Sequence, residues 1–208
     1  MAYSIITISR EFGTGARLIG REVAALLGYG YYDRALIEMA AEKSGLSEDF
    51  IERTEEKASN SFLYNLATAA YIASDVTMQY SMPVNDRAYM VQADVIKEIA
   101  NTGNGVIVGR CADYVLKDHP KLLRVFIYAN KEDRINRIVS EYGQDPKNAE
   151  SVLSKIDKGR ANYHKFYTGS NWKNMENYDI CINTSTTGIQ GAVMAIRAAA
   201  EEKFGKKE

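Results

Sequence analysis

The sequence predicts an α/β fold, a parallel sheet covered on both faces by helices. Three observations carry the prediction. Strand-like runs alternate with longer helical runs along the 208 residues, the pattern of successive β-α-β units. The runs Val106-Ile-Val108 and Leu122-Leu-Arg-Val-Phe-Ile-Tyr-Ala129 are almost continuously apolar, as strands buried on both faces must be. The first strand-like run, residues 3–9, leads into a glycine turn, Gly13-Thr-Gly15, that opens a helix.

After the first strand, residues 17–27 read as a helix with Ile19, Val23 and Leu26 on one face and Gly28 as its stop. Residues 29–32 are a short extended piece. Asp33 is placed to cap a helix to about Lys43, closed by Gly45. Ser47 is placed to cap a charged helix to about Lys57. A second helical stripe, Phe62, Leu66, Ala69 and Ala73, follows, and Pro83 ends this helical insertion. A helix from Asp86 to about Thr102 is expected to turn Met90, Ala93, Ile96 and Ala100 inward, with Gly103 as its stop. After the strands near 106–108 and 122–129, Asn130 caps a helix bearing Ile135, Ile138 and Tyr142, stopped by Gly143. Asp145-Pro146 starts a long helix to Thr168 and Gly169, with a cap and then proline at the first position. Residues 178–183 are the last strand, and Thr187 caps a final helix with Ile189, Val193 and Ile196.

The charge balance, 26 Lys and Arg against 27 Asp and Glu, gives no basic excess for nucleic acid. No apolar stretch reaches the ~20 residues a bilayer span needs, and the N-terminus lacks a basic segment followed by a long apolar run. A cytoplasmic protein with no nucleic-acid or membrane partner is expected. Cys111 and Cys181 have no metal-ligand spacing and read as packed thiols.

On a parallel sheet the ligand binds beyond the carboxyl ends of the strands. That edge carries the glycine turn, Asp33, Arg110 and Asn183, with Arg134 and Arg137 a little further on. The turn aims backbone N–H groups and a helix N-terminus at one point, which suits phosphate. Arg17 lies in the first helical turn, where the dipole disfavours a cation, so its presence points to an anion nearby. A second reading is the dinucleotide fingerprint G-x-G-x-x-G. Gly13 and Gly15 match its start and Asp33 stands where the ribose-binding acid would, but Leu18 occupies the third glycine position. Arg110, at the tip of a buried strand, is a bidentate partner for phosphate or carboxylate, or for a structural acid such as Asp113. Arg134 and Arg137 share one helix face, and Asp157, Arg160 and His164 share another. Tyr163, Phe166, Tyr167 and Trp172 read as packing residues.

These residues resemble a family. The segments Ile6-Thr-Ile-Ser-Arg-Glu-Phe-Gly-Thr-Gly-Ala-Arg17, Tyr31-Tyr-Asp-Arg-Ala-Leu-Ile37, Val106-Ile-Val-Gly-Arg-Cys-Ala-Asp113, Val125-Phe-Ile-Tyr-Ala129, Lys155-Ile-Asp-Lys-Gly-Arg160 and Tyr178-Asp-Ile-Cys-Ile-Asn-Thr184, in this order, are similar to the cytidylate-kinase-like proteins among the P-loop nucleoside monophosphate kinases. The resemblance implies a P-loop NTPase three-layer sandwich with five parallel strands. It implies a core of residues 1–44, 86–139 and 173–208, an acceptor-binding lobe near 45–85 and a helical lid near 140–172. It further implies transfer of the ATP γ-phosphoryl, with Mg²⁺, to a nucleoside monophosphate such as CMP. In that frame Arg10, Gly13, Thr14, Gly15, Ala16, Arg17 and Leu18 line the ATP phosphates. Arg17, Arg110, Arg134, Arg137 and Arg160 supply catalytic charge, and Asp33, Arg110, Asp113, Asp157 and Arg160 meet the acceptor. No residue is assigned as a metal ligand, and a monomer or homodimer is expected.

The sequence departs from that family where the loop lysine, its following glycine and a hydroxyl residue would stand, which here read Ala16, Arg17 and Leu18. Arg10 replaces the first loop glycine, the Gly-Arg-Asp segment reads Gly109-Arg110-Cys111, and Leu153 stands where a lid arginine is expected. Arg10 or Arg17 is the expected substitute for the lysine. The alternatives are a non-catalytic nucleotide or anion sensor and, more weakly, a nicotinamide-dependent oxidoreductase.

Overall fold

The computed structural model describes residues 2–56 and 83–205. Five strands, β1 (Ile5–Arg10), β2 (Gly30–Tyr32), β3 (Gly105–Val108), β4 (Leu122–Tyr128) and β5 (Ile180–Asn183), form one sheet in the order β2-β3-β1-β4-β5. Every pairing is parallel. The helices are α1 (Ala16–Leu27), α2 (Arg34–Ser44), α3 (Glu48–Glu56), α4 (Val84–Thr102), α5 (Ala112–Val115), α6 (Lys131–Ser140), α7 (Ala149–Thr168) and α8 (Thr184–Phe204). No described helix is long and apolar enough to cross a membrane.

Alternation along the strands builds two apolar layers. Ile6, Ile8, Val106, Val108, Val125 and Ile127 face one side and pack on Ile19 and Val23 of α1 and Val193 and Ile196 of α8. Ile5 and Ile107 face the other side and pack on Leu36 and Ile37 of α2, Ile51 of α3 and Val95, Ile96 and Ile99 of α4. The result is the expected three-layer arrangement. β1 is central, so the loop that leaves its carboxyl end lies at the middle of the sheet edge. A dinucleotide-binding sheet runs 3-2-1-4-5-6 with β2 beside β1. Here β3 and β4 flank β1 and β2 is at the edge, so the oxidoreductase reading loses its sheet.

Several local expectations shift. α7 starts at Ala149 rather than at Pro146, because the Asp145 carboxylate accepts from Lys147 N–H (3.0 Å) and Asn148 Nδ2 (3.2 Å) and closes a turn ahead of the helix. α6 ends at Ser140, short of Tyr142 and Gly143. The buried face of α4 is Ala88, Gln92, Val95, Ile96, Ile99 and Ala100, which leaves Met90 exposed; Leu26 of α1 is exposed too. Asn183 caps α8 by accepting from Ser185 N–H (3.0 Å); the helix breaks at Gly188, directly after Thr187, whose hydroxyl donates to the Asn183 carbonyl (3.2 Å) instead of capping the run that follows. Asp33 precedes α2 without a side-chain capping bond. Ser47 does cap α3, accepting from Phe50 N–H (3.3 Å). The stripe from Phe62 to Ala73 lies outside the described residues.

Candidate active site

The loop after β1 is shaped by glycine. Gly13 and Gly15 both have left-handed backbone, φ 79° and 80°. A Cβ at Gly13 would lie 2.9 Å from the Arg134 carbonyl oxygen, and one at Gly15 would collide with the Ile189 side chain. Thr14 fastens the loop: its hydroxyl donates to the Glu11 carbonyl (2.9 Å), and its carbonyl accepts from Thr184 Oγ1 (3.2 Å). The first intrahelical bond of α1 runs from Ile19 N–H to the Gly15 carbonyl (3.1 Å). The amides of Ala16, Arg17 and Leu18 therefore have no carbonyl within the helix to meet and are left for a ligand.

A cleft of about 470 Å³ opens over this loop. Arg10, Arg17, Arg21, Arg137 and Arg160 line it with two acids, Glu11 and Glu141, so guanidiniums outnumber carboxylates on its walls although the chain is nearly neutral. Arg137 comes from α6; its Nη1 donates to the Gly13 carbonyl (3.2 Å) and its Nε pairs with Glu141 (3.3 Å). Arg160 comes from α7; its Nη1 donates to the Arg10 carbonyl (3.2 Å), and its guanidinium lies over the Phe12 ring (5.6 Å). The Tyr142 ring tilts against Phe12, with centroids 5.8 Å apart. Arg17 pairs through Nε with Asp33 (3.0 Å), with its side chain 56% exposed. Ala16 is buried in the core, so the position of the missing lysine carries only a small apolar side chain.

Behind the loop lie three buried networks. In the first, Arg10 donates bidentately to Glu55 of α3 (2.8 and 3.1 Å). Arg110 adds its backbone N–H (3.2 Å) and its Nε (3.6 Å) to the same carboxylate, while its other nitrogens reach the carbonyls of Ile51 and Glu52 and the Gln92 amide oxygen. Burial alone would push the Glu55 carboxyl up, but the Arg10 and Arg110 guanidiniums, with Arg160, outweigh it and hold it well below the usual range. Gly109, Arg110 and Cys111 are all left-handed, φ 75°, 61° and 55°, which costs about 1–2 kcal/mol at each non-glycine position and is offset by these bonds. In the second network, Asp157 accepts from Phe12 N–H (2.8 Å) and Arg134 Nη1 (2.5 Å), and Arg134 Nε lies 3.5 Å from Glu11. In the third, Asp113 meets His164 Nε2 (3.2 Å) and Ser9 Oγ (3.4 Å). The structural partner of Arg110 is thus Glu55, not Asp113.

The sequence-predicted residues therefore divide. Arg10, Gly13, Thr14, Gly15, Ala16, Arg17, Leu18, Arg137 and Arg160 meet in the cleft. Asp33, Arg110, Asp113, Arg134 and Asp157 are not among its walls and hold neighbouring elements to it. Sequence reasoning missed Arg21, which stands four residues after Arg17 on the same helix face and was legible by that spacing. It also missed Glu55 and Lys173, which pairs with Glu11; neither carries a local signal, since both act through partners far away in sequence.

The model of the cytidylate kinase-like family matches residues 5–186. The chain belongs to that family. This cytidylate kinase-like chain is 27% identical over 204 residues to a cytidylate kinase of Archaeoglobus fulgidus, covering 95% of each. It superposes on the crystal structure of an uncharacterized protein from Eubacterium ventriosum with TM-score 0.69 at 26% identity, covering 95% of this chain and 98% of that one. A shikimate kinase from Bacteroides thetaiotaomicron shares the fold, with TM-score 0.56 at 12% identity over 95% of this chain and 98% of that one. Within this family frame the loop amides and the arginines fit a polyphosphate. Mg²⁺ fits less well. Leu18 stands where a hydroxyl ligand is expected, and among the described residues no group of three or more His, Cys, Asp or Glu could hold a metal ion.

Proposed function

We propose that this chain is a phosphotransferase that moves the γ-phosphoryl of ATP, supplied with Mg²⁺, to a nucleoside monophosphate, nominally CMP. The observation that carries the reading is the cleft at the centre of the sheet edge, where left-handed Gly13 and Gly15 present the start of α1 and arginines from α1, α6 and α7 converge. The similarity to the Archaeoglobus fulgidus cytidylate kinase supports it.

In this reading the amides of Ala16, Arg17 and Leu18 hold the donor phosphates, and Arg17, Arg137 and Arg160 neutralise charge that spreads over the transferring group. Arg134 and Asp157 keep the loop in place. Residues 45–85 receive the acceptor with Asp33, Arg110 and Asp113, and residues 140–172 cover the site and exclude water. Arg160 already bridges from α7 to the loop, as a cover that completes the site would. Ala16 favours a second reading, a sensor that binds nucleotide without turnover, since a lysine-less loop forgoes a charge on the donor phosphates.

Incubation with ATP·Mg²⁺ and a panel of nucleoside monophosphates separates the two. The expected result is formation of ADP with a nucleoside diphosphate, fastest from CMP. Tight binding of an ATP analogue by calorimetry with no transfer to any acceptor selects the sensor. Arg17→Ala is expected to raise the KM for ATP by about tenfold or more, since a hydrogen bond to a charged group contributes about 1.5–3 kcal/mol. Wild-type kinetics in that variant would leave Arg17 with no part in the site beyond its exposed pair with Asp33.

A further inference from the structure

The Arg10–Glu55–Arg110 cluster is built like an anion site that already holds an anion. One carboxylate accepts a bidentate guanidinium fork from Arg10 (2.8 and 3.1 Å) and a backbone N–H from the left-handed turn at Arg110 (3.2 Å), and lies 3.6 Å from the Arg110 Nε. That is the donor set a phosphate oxygen triad takes. We propose that Glu55 is an internal stand-in for the acceptor's phosphate, so that a phosphate monoester reaches Arg10 and Arg110 only by displacing the Glu55 carboxylate. The inference rests on the phosphotransferase reading above and assigns Glu55 as the residue that gates acceptor entry.

Three further observations point the same way. Two buried guanidiniums, from Arg10 and Arg110, converge on the one Glu55 carboxylate, as guanidiniums converge on a bound phosphate. The cluster joins the donor cleft, because Arg10 is a wall of that cleft and its carbonyl is held by Arg160 Nη1 (3.2 Å). Glu55 also stands in the last turn of α3, where Arg110 separately holds the carbonyls of Ile51 (2.6 Å) and Glu52 (3.3 Å). The helix end is therefore anchored independently of the carboxylate, which can leave while the backbone stays.

The test titrates inorganic phosphate and CMP into wild type and Glu55→Gln, read by calorimetry and by the rise of melting temperature with ligand. Glu55→Gln is expected to bind both about tenfold or more tightly, and to recover its melting temperature with phosphate more steeply than wild type does. Equal or weaker phosphate binding in Glu55→Gln overturns the proposal. Should that variant fail to fold, the Glu55 side-chain carboxyl resonance of the wild-type chain decides. A shift of that resonance toward an unpaired carboxylate on saturation with CMP supports displacement, and an unchanged resonance with CMP bound overturns it. A non-hydrolysable ATP analogue titrated in parallel keeps the two readings apart. Failure of wild type to bind it counts against the phosphotransferase reading alone, whereas the phosphate response of Glu55→Gln bears on the gate alone.

Discussion

A methyl group at Gly15 is enough to disturb the loop, because φ of 80° strains an L side chain and the new carbon would collide with Ile189. Gly15→Ala is therefore expected to lower stability by about 1–3 kcal/mol and to weaken ATP-analogue binding. A denaturation midpoint and a calorimetric titration check both effects, and unchanged binding would detach the loop from the nucleotide. The two glycines were readable because a left-handed residue between a strand and a helix leaves a local mark. The arginines were readable as cations at one sheet edge, but not their partners. Arg10 pairs with Glu55, 45 residues on, and Arg134 pairs with Asp157, 23 residues on. Such pairing is set by which helices fold over the loop, and neighbouring residues say nothing of it.

Helix α7 acts on the loop as a clamp with two jaws. Asp157 takes the Phe12 N–H and Arg160 takes the Arg10 carbonyl, so one helix face grips both sides of the residue where β1 gives way to the turn. The spacing of three between Asp157 and Arg160 was visible in the sequence, since it sets both on one face; that the face lies against the loop was not. Asp157→Ala removes the acceptor for Phe12 and leaves the Arg134 guanidinium short of its closer carboxylate. The expected cost is about 3 kcal/mol, read as a fall in melting temperature of roughly 6–12 °C for a chain of this size. A shift within a degree or two would mean that the clamp is idle. Element ends were less legible than element identities. Asp145-Pro146 has the composition of a helix start, yet the Asp145 side chain closes a tight turn and delays α7 to Ala149. The stop at Gly169 was legible, because the left-handed backbone there (φ 71°) is a conformation glycine accepts without strain.

The alternation of strands and helices fixes the layers of the whole molecule, but the placing of β1 between β3 and β4 depends on crossovers that no local pattern encodes. The same long-range assembly sets the pH range over which the molecule is stable, through groups that are ordinary in the unfolded chain and perturbed in the folded one. At the acid end one such group is Glu55, whose folded value is held below that of the unfolded chain by Arg10 and Arg110 against its burial, and Asp179 is lowered likewise by Arg124 and Lys203 against its burial. The unfolded chain then binds the proton first, so the contribution of Glu55 is complete above the ordinary carboxylate range and is lost as the pH falls toward the folded value. At the alkaline end the groups are phenols. Burial, reinforced by Asp33, pushes Tyr31 from 10.0 up to about 12. Burial also raises Tyr89 and Tyr167, which stack where α4 meets α7, Tyr163, which meets both edge-on, and Tyr178 beside Phe126. Here the unfolded chain loses the proton first, so the stabilisation is complete below about pH 10 and declines as the pH rises through the folded values. Denaturant midpoints measured from acid to alkali should therefore form a plateau with two falling edges. On the alkaline side, tyrosinate absorbance should rise together with unfolding rather than ahead of it. Glu55→Gln should flatten part of the acid edge and leave the alkaline edge where it is. Phenols that ionise near pH 10 while the fold stays intact would show that α7 is not held down against α4 in solution, and the clamp on the loop would then have to be sought elsewhere.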